Sequence, residues 1–374
     1  MAEKMNMSQW AVSKVKDSQW QSHFGPLIPL LDDPSVTEIM VNGANKVFIE
    51  QKGLIKKTPL SFESEAELYQ VLKSIADYVG RELSPKSPCL DARLPDGSRV
   101  NIVIPPVAVD GPSVTIRKFS PYSINHEQLI ASGMFDEKIA YFLSCCVNAR
   151  LNIMICGGTG SGKTTLLNVL SGFIPPHERV VSIEDAAELK IRNDNLVRLE
   201  ARPQTPTDPG VSIRTLVINA LRMRPDRIIV GECRGSEAFD MLQAMNTGHE
   251  GSMTTLHANS SREALRRLET MVLMTGTDFP MRVIREHMSG ALDVIVNVQR
   301  TPDGRRRVTE IIEVGNMESD VILTQGIFAW DPSKGFYSLG FVPRFVHDFS
   351  RHGVDFPMDF FNNQYSIKAA IRKK

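Results

Sequence analysis

The run Gly157-Gly158-Thr159-Gly160-Ser161-Gly162-Lys163-Thr164 satisfies G-x-x-x-x-G-K-[ST], and its flanks decide how it is read. Before it, Leu151–Cys156 is an apolar run of the length of a buried strand; after it, a helix is predicted over Gly162–Ser171. A strand that turns through glycines into a helix is a phosphate cradle. Glycines let backbone N–H groups curl around an anion without Cβ clashes, and the helix presents its positive end to it. Lys163 is spaced to reach the β- and γ-phosphates, and the Thr164 hydroxyl to ligate Mg²⁺. The expected nucleotide contacts are Gly158, Thr159, Gly160, Ser161, Gly162, Lys163, Thr164 and Thr165, with ATP and Mg²⁺ as cofactors.

Downstream, apolar strands alternate with helices, the pattern of a parallel α/β sheet. Strands are predicted at Arg179–Ile183 and Arg227–Val230, with a third ending at His257. A helix over Ser236–Thr247 is closed by Gly248, and Ser260-x-x-Glu263 is a capping box that opens another. Asp293–Gln299 and Arg306–Val314 flank a turn at Pro302-Asp303-Gly304. Upstream the pattern differs. Pro26–Asn42 reads as a helical turn followed by a strand, and Asn42-Gly43 as a turn between short strands, with Lys46–Glu50 and Leu54–Leu60 next. Ser64-x-x-Glu67 caps a helix with the apolar stripe Leu68, Val71, Leu72, Ile75, Ala76 and Val79. Pro95-Asp96-Gly97 joins Ala92–Leu94 to Arg99–Ile104, and Val114–Phe119 completes a small α+β domain. The expected organisation is a leader over 1–24, the α+β N-terminal domain over 25–119 and a linker over 120–125. A P-loop α/β domain follows over 126–300, then a C-terminal extension over 301–374.

Phosphoryl transfer needs charge neutralisation and an oriented attacking group. Two predicted strands end in carboxylates: Arg227–Val230 runs through Gly231 to Glu232, and Arg179–Ile183 runs into Glu184-Asp185. Gly231 stands where P-loop enzymes usually carry an Asp. Either acid alone would read as a solvated strand end; two of them downstream of one P-loop point to water activation or Mg²⁺ ligation. His249-Glu250 lacks the second histidine of H-E-x-x-H, because Met253 stands there, so a zinc-protease reading fails.

Composition narrows the classes further. The 374 residues carry 43 Lys plus Arg against 43 Asp plus Glu, so the basic excess usual for a nucleic-acid protein is absent. The five cysteines form no C-x-x-C pair, which fits a reduced intracellular protein, and adjacent Cys145 and Cys146 read as buried thiols. Met1–Gln19 is polar and charged, unlike a secretory signal, and the apolar stretch near Ile139–Ala149 is too short to span a bilayer.

Several motifs in order resemble one family. They are Leu31–Gly43 (LDDPSVTEIMVNG), Asp91–Asn101 (DARLPDGSRVN), the P-loop, Ile183–Glu188 (IEDAAE), Arg222–Arg227 (RMRPDR), Gly231-Glu232 and Thr255–Asn259 (TLHAN). Together they are similar to the secretion ATPases of the type II/type IV secretion superfamily, and most of all to the CpaF branch that powers tight-adherence pilus assembly. The resemblance implies a two-domain subunit with a RecA-like ATPase domain, nucleotide bound between the domains, and a homo-hexameric ring. It implies that Glu232 activates water, that Glu184 lies near Mg²⁺, and that His257 senses the γ-phosphate. It further implies that Arg93, Arg99 and Arg117 contact phosphates. Inner-membrane platform proteins are the implied partners, with the ring peripheral at the cytoplasmic face of that membrane and no stable nucleic-acid partner. The competing readings are a nucleic-acid translocating motor, a small-molecule P-loop kinase and a nucleotide-gated binding module without turnover.

Overall fold

A computed structural model describes residues 20–51, 53–119, 124–202, 204, 209–276 and 278–363. Most of the predicted leader and most of the predicted linker lie outside these residues. The chain divides into two compact units, Met1–Ser123 and Ile124–Lys374.

In the first unit a 3₁₀ turn at Trp20–Leu27 leads into α1 (Ile28–Asp32), which begins where Pro29 is tolerated, in a first turn. The strands β1 (Val36–Asn42), β2 (Val47–Gln51) and β3 (Leu54–Lys57) follow, then α2 (Glu65–Tyr78), β4 (Cys89–Arg93), β5 (Arg99–Val103) and β6 (Ser113–Arg117). The sheet runs β3-β2-β1-β6-β5-β4, antiparallel throughout. Ser64 accepts from Glu67 N at 3.1 Å, as the capping box predicts. Leu68, Leu72, Ile75 and Ala76 of α2 share one core with Ile39, Val41, Val100, Ile102, Val114 and Ile116 of the sheet. The alternate residues of β4, β5 and β6 therefore lie on the opposite, polar face.

The second unit opens with α3 (His126–Ser132) and α4 (Glu137–Asn148), then β7 (Ile153–Gly157) and α5 (Lys163–Ser171). Next come β8 (Val180–Glu184), β9 (Leu196–Glu200), α6 (Ile213–Ala220), β10 (Arg227–Cys233), α7 (Glu237–Asn246), β11 (Met253–His257), α8 (Ser261–Leu273) and α9 (Met281–Ala291). The strands β12 (Val294–Arg300), β13 (Arg306–Glu318), β14 (Val321–Asp331) and β15 (Gly335–Ser338) complete it. The sheet order is β15-β14-β13-β12-β7-β11-β10-β8-β9; β12 through β9 are parallel and β13 to β15 antiparallel. A parallel sheet is covered on both faces, which is why β7 reads as a continuous apolar run. Ile153 and Ile155 join one core, while Met154 and Cys156 join the other.

Residues beyond 300 continue this unit. Phe328 of β14 and Phe349, Phe360 and Phe361 of the following 3₁₀ turns belong to the same core as β7 and α5. Phe142 of α4 packs on two of them, with ring centroids 5.3 Å from Phe328 and 5.8 Å from Phe361. Cys145 and Cys146 are buried, as expected.

The amino end of the parallel sheet is held by buried polar groups. Arg227, 0% exposed, donates from Nε and Nη2 to the Glu178 carboxylate and from Nη1 to Gly251 O at 3.3 Å. Gly251 has φ +83°, and a Cβ there would stand 1.9 Å from that guanidinium, so only glycine fits. Beside it, Asn152 accepts from Gly251 N and Ser252 N, and Asp293 Oδ2 accepts from Asn152 N at 2.8 Å. Burial pushes the Asp293 carboxyl up to about 6. Among the described residues no helix is long and apolar enough to cross a membrane.

Candidate active site

Open parallel sheets bind ligands at the carboxyl ends of their strands. Here four neighbours in the order β7-β11-β10-β8 each end in one of the residues singled out from the sequence: the P-loop after β7, His257 on β11, Glu232 on β10 and Glu184 on β8. Gly157 ends β7 so close to β12 that a Cβ would meet Val298 O at 2.2 Å. Gly162, at φ +100°, is the N-cap of α5, and no side chain caps the first-turn N–H groups. Those donors face the anion-binding position expected for a phosphate. The stem of Arg306, at the start of β13, lies against the same glycine, 3.4 Å from where its Cβ would be.

Lys163 Nζ donates to Gly158 O at 2.9 Å and lies 3.5 Å from His257 Nε2. His257 Nε2 in turn is 2.8 Å from Glu232 Oε1. Burial lowers the Lys163 pKa, with Glu232 opposing that shift. Burial and then the Lys163 charge lower that of His257, which favours the neutral imidazole, and Glu232 Oε1 beside it is buried without a hydrogen-bond partner. The pairing of β10 with β11 shifts register between Val230 and Cys233, a bulge that re-aims Glu232. Thr255 Oγ1 donates to Gly231 O at 2.8 Å there.

Glu184 is 3% exposed, and its Oε2 accepts from Glu188 N at 2.8 Å and Leu189 N at 2.9 Å. Its Oε1 is buried without a hydrogen-bond partner, and burial raises its pKa. The Glu184 side chain also explains the glycine at 231, because a Cβ there would stand 2.9 Å from Glu184 Cγ. A buried acceptor oxygen and the Thr164 hydroxyl on the neighbouring helix are hard oxygen donors of the kind Mg²⁺ takes. Among the described residues no group of three or more His, Cys, Asp or Glu could hold a metal by itself.

The arginines of the first unit come together too. Arg93 stands opposite Arg99, and Arg99 opposite Arg117, at matched positions on β4, β5 and β6. They share the polar face of that sheet, with Arg117 Nε 3.7 Å from Glu38 Oε1. Like charges directly opposite are unfavourable in a sheet, so each guanidinium needs a compensating partner, which Glu38 gives Arg117.

Sequence reasoning did not single out Arg234, which donates from Nη2 to Glu232 Oε2 and from Nη1 to Asp185 Oδ2 at 3.0 Å. Its signal was its place two residues beyond Glu232. Nor did it single out Arg306, which is adjacent to the P-loop only through the β12–β13 pairing.

Three comparisons bear on this geometry. Residues 20–303 match the family described as type II/IV secretion system protein. The chain is 36% identical over 318 residues to a putative conjugal transfer protein of Mycobacterium tuberculosis, covering 83% of this chain and 89% of that one. It is 34% identical over 325 residues to the type IV secretion system protein VirB11 of Bartonella quintana, covering 76% and 90%. Among solved structures, the pilus retraction motor PilT with bound ADP superposes with a TM-score of 0.55 at 18% identity over 93% of this chain and 96% of that one, a likeness of fold.

Proposed function

Because the chain belongs to the type II/IV secretion system protein family and is as such an ATP hydrolase, we propose that it is a ring-forming motor that turns ATP hydrolysis into movement of one unit against the other, within the tight-adherence pilus branch. The observation that supports this best is that the P-loop with Lys163, and then His257, Glu232 and Glu184, follow or end four adjacent strands.

In this reading the β- and γ-phosphates lie over the first turn of α5, and Lys163 exchanges Gly158 O for phosphate oxygens. Glu232 takes a proton from the water that attacks the γ-phosphorus, the bond to the ADP oxygen breaks, and inorganic phosphate leaves. His257, between Lys163 and Glu232, couples the occupant of the phosphate site to the carboxylate. Thr164 and Glu184 would hold Mg²⁺, which supplies neutralisation of the phosphate charge. Arg93, Arg99 and Arg117 supply guanidinium forks suited to the charge that spreads over the transferring group. Six copies form the ring, which works peripherally at the cytoplasmic face of the inner membrane on platform proteins of a pilus or secretion machine.

The test is ATP turnover with Mg²⁺ measured against protein concentration, with Lys163→Ala as the blank. Turnover per subunit that rises with concentration, and is absent in the variant, supports a ring whose sites are completed by assembly. A monomeric particle with undiminished turnover per subunit overturns it. Turnover stimulated by DNA would favour a nucleic-acid motor instead.

A further inference from the structure

Glu232 sits at the end of β10 on a side chain with three rotatable bonds, and nothing in its own backbone chooses which oxygen faces the P-loop. Two neighbours make that choice. His257 Nε2 is 2.8 Å from Oε1, on the side of Lys163. On the other side Arg234 Nη2 donates to Oε2, and the same guanidinium donates from Nη1 to Asp185 Oδ2 at 3.0 Å. One planar fork thus ties together acids that end two neighbouring strands, β10 and β8.

The fork is itself anchored. Arg234 N and Gly235 N donate to Glu237 Oε1 at 2.6 and 2.8 Å, and Glu237 is buried in the first turn of α7. The backbone that carries the guanidinium is therefore fixed, although its side chain is 60% exposed. An ion pair so exposed contributes little to stability. The arrangement looks instead like one that fixes an atom's position.

We propose that Arg234 is a positioning residue for ATP hydrolysis: braced on Asp185, it holds Oε2 of Glu232 so that Oε1 alone is presented to the attacking water. The proposal rests on the reading of Glu232 as the group that activates water. It assigns Arg234 no contact with the nucleotide; the residue acts through Glu232. A lysine cannot replace it, because an ammonium is a point charge and cannot bridge two carboxylates in a fixed plane.

The experiment is steady-state ATP hydrolysis by the full chain with Mg²⁺, comparing Arg234→Ala, Arg234→Lys, Asp185→Asn, the Arg234→Ala/Asp185→Asn pair and Glu232→Gln. Loss of an orienting partner of a catalytic group costs roughly 10- to 100-fold in rate. Arg234→Ala should lose kcat by that factor with KM for ATP unchanged, and Arg234→Lys should stay well below wild type. Asp185→Asn should lose less, and adding it to Arg234→Ala should cost nothing further, because both act on one brace. Guanidinium chloride at millimolar concentration should raise kcat of Arg234→Ala and leave wild type unaffected, which a merely structural role would not produce. Wild-type kcat in Arg234→Ala, a raised KM at unchanged kcat, or independent additive losses from the two substitutions would each overturn the proposal. Glu232→Gln separates the two levels. If it retains turnover, the parent reading falls and Arg234 with it; if it is inactive while Arg234→Ala matches wild type, only the role of Arg234 falls.

Discussion

Alanine at position 231 would test whether Glu184 occupies the room that an aspartate takes in other P-loop enzymes. The added Cβ would stand 2.9 Å from Glu184 Cγ and 3.5 Å from its Cβ. Carbon atoms in good contact are about 3.5–4.0 Å apart, so the nearer atom must give way. Glu184 cannot swing aside freely, because its Oε2 accepts from Glu188 N and Leu189 N. Each hydrogen bond to a charged acceptor contributes about 1.5–3 kcal/mol, and overpacking a tight interior costs about 1–3 kcal/mol. Position 231 is not among those with positive φ, so backbone strain adds nothing, and the entropic benefit of replacing glycine offsets about 0.4–1 kcal/mol. The net expectation for Gly231→Ala is a loss of about 2–4 kcal/mol. In the thermal melt of a unit of this size that lowers Tm by roughly 5–15 °C. The decisive measurement is the double-mutant cycle: in a Glu184→Ala background the same substitution should cost less than about 0.5 kcal/mol. An equal loss in both backgrounds would refute the steric argument.

Three further outcomes follow from the amino end of the sheet and from the P-loop. Glu178→Ala strands the fully buried Arg227 guanidinium and should cost about 3–5 kcal/mol in a urea melt; an unchanged midpoint would refute the importance of that pair. Asp293 titrates near 6 in the folded chain against 3.8 for an ordinary aspartate, so the folded state holds the proton more tightly. Its contribution is fully present below pH 4 and is lost as pH rises through 6, by at most about 3 kcal/mol, so Asp293→Asn should gain on wild type between pH 4 and pH 7 in urea melts. Gly157→Ala would drive a methyl into Val298 O at 2.2 Å and should leave no folded second unit, read as loss of cooperative melting.

Where the sequence was legible, a local rule sufficed. Both predicted serine caps form, with Glu67 N and Glu263 N each donating to a serine Oγ at 3.1 Å, while the two glutamates accept from Glu63 N and Asn259 N, one residue before the cap. The Pro302-Asp303-Gly304 turn joins β12 to β13, and Glu184, Glu232 and His257 sit at strand ends because apolar runs stop there, while Lys163 opens the helix after the glycine loop. Other elements gave no such signal. Leu196–Glu200 is a half-exposed edge strand with charged residues, and α6, eight residues long, spans barely two turns. The residues after Val314 mix glycine, proline and aromatics without periodicity, and their meaning appears only once Phe142 is seen as the wall they meet. The bridges of the site were hidden for a different reason. Arg234 reaches Asp185, and Lys163 approaches His257, through a strand order that departs from chain order.

The aromatic residues that close over β7 and α5 also set a timetable for the chain as it is made. Phe328 and Phe361 follow Gly157 by about 170 and 200 residues, and a ribosome adds roughly 5–20 residues per second. The phosphate loop is thus synthesised about 10–40 seconds before the side chains that complete its core. During that interval the first unit, whose core among the described residues runs from Trp20 to Ile116, already has those buried residues in the chain. The nascent second unit meanwhile exposes Phe142 and the apolar strand beside the P-loop, the interval in which a holding chaperone would have most to protect.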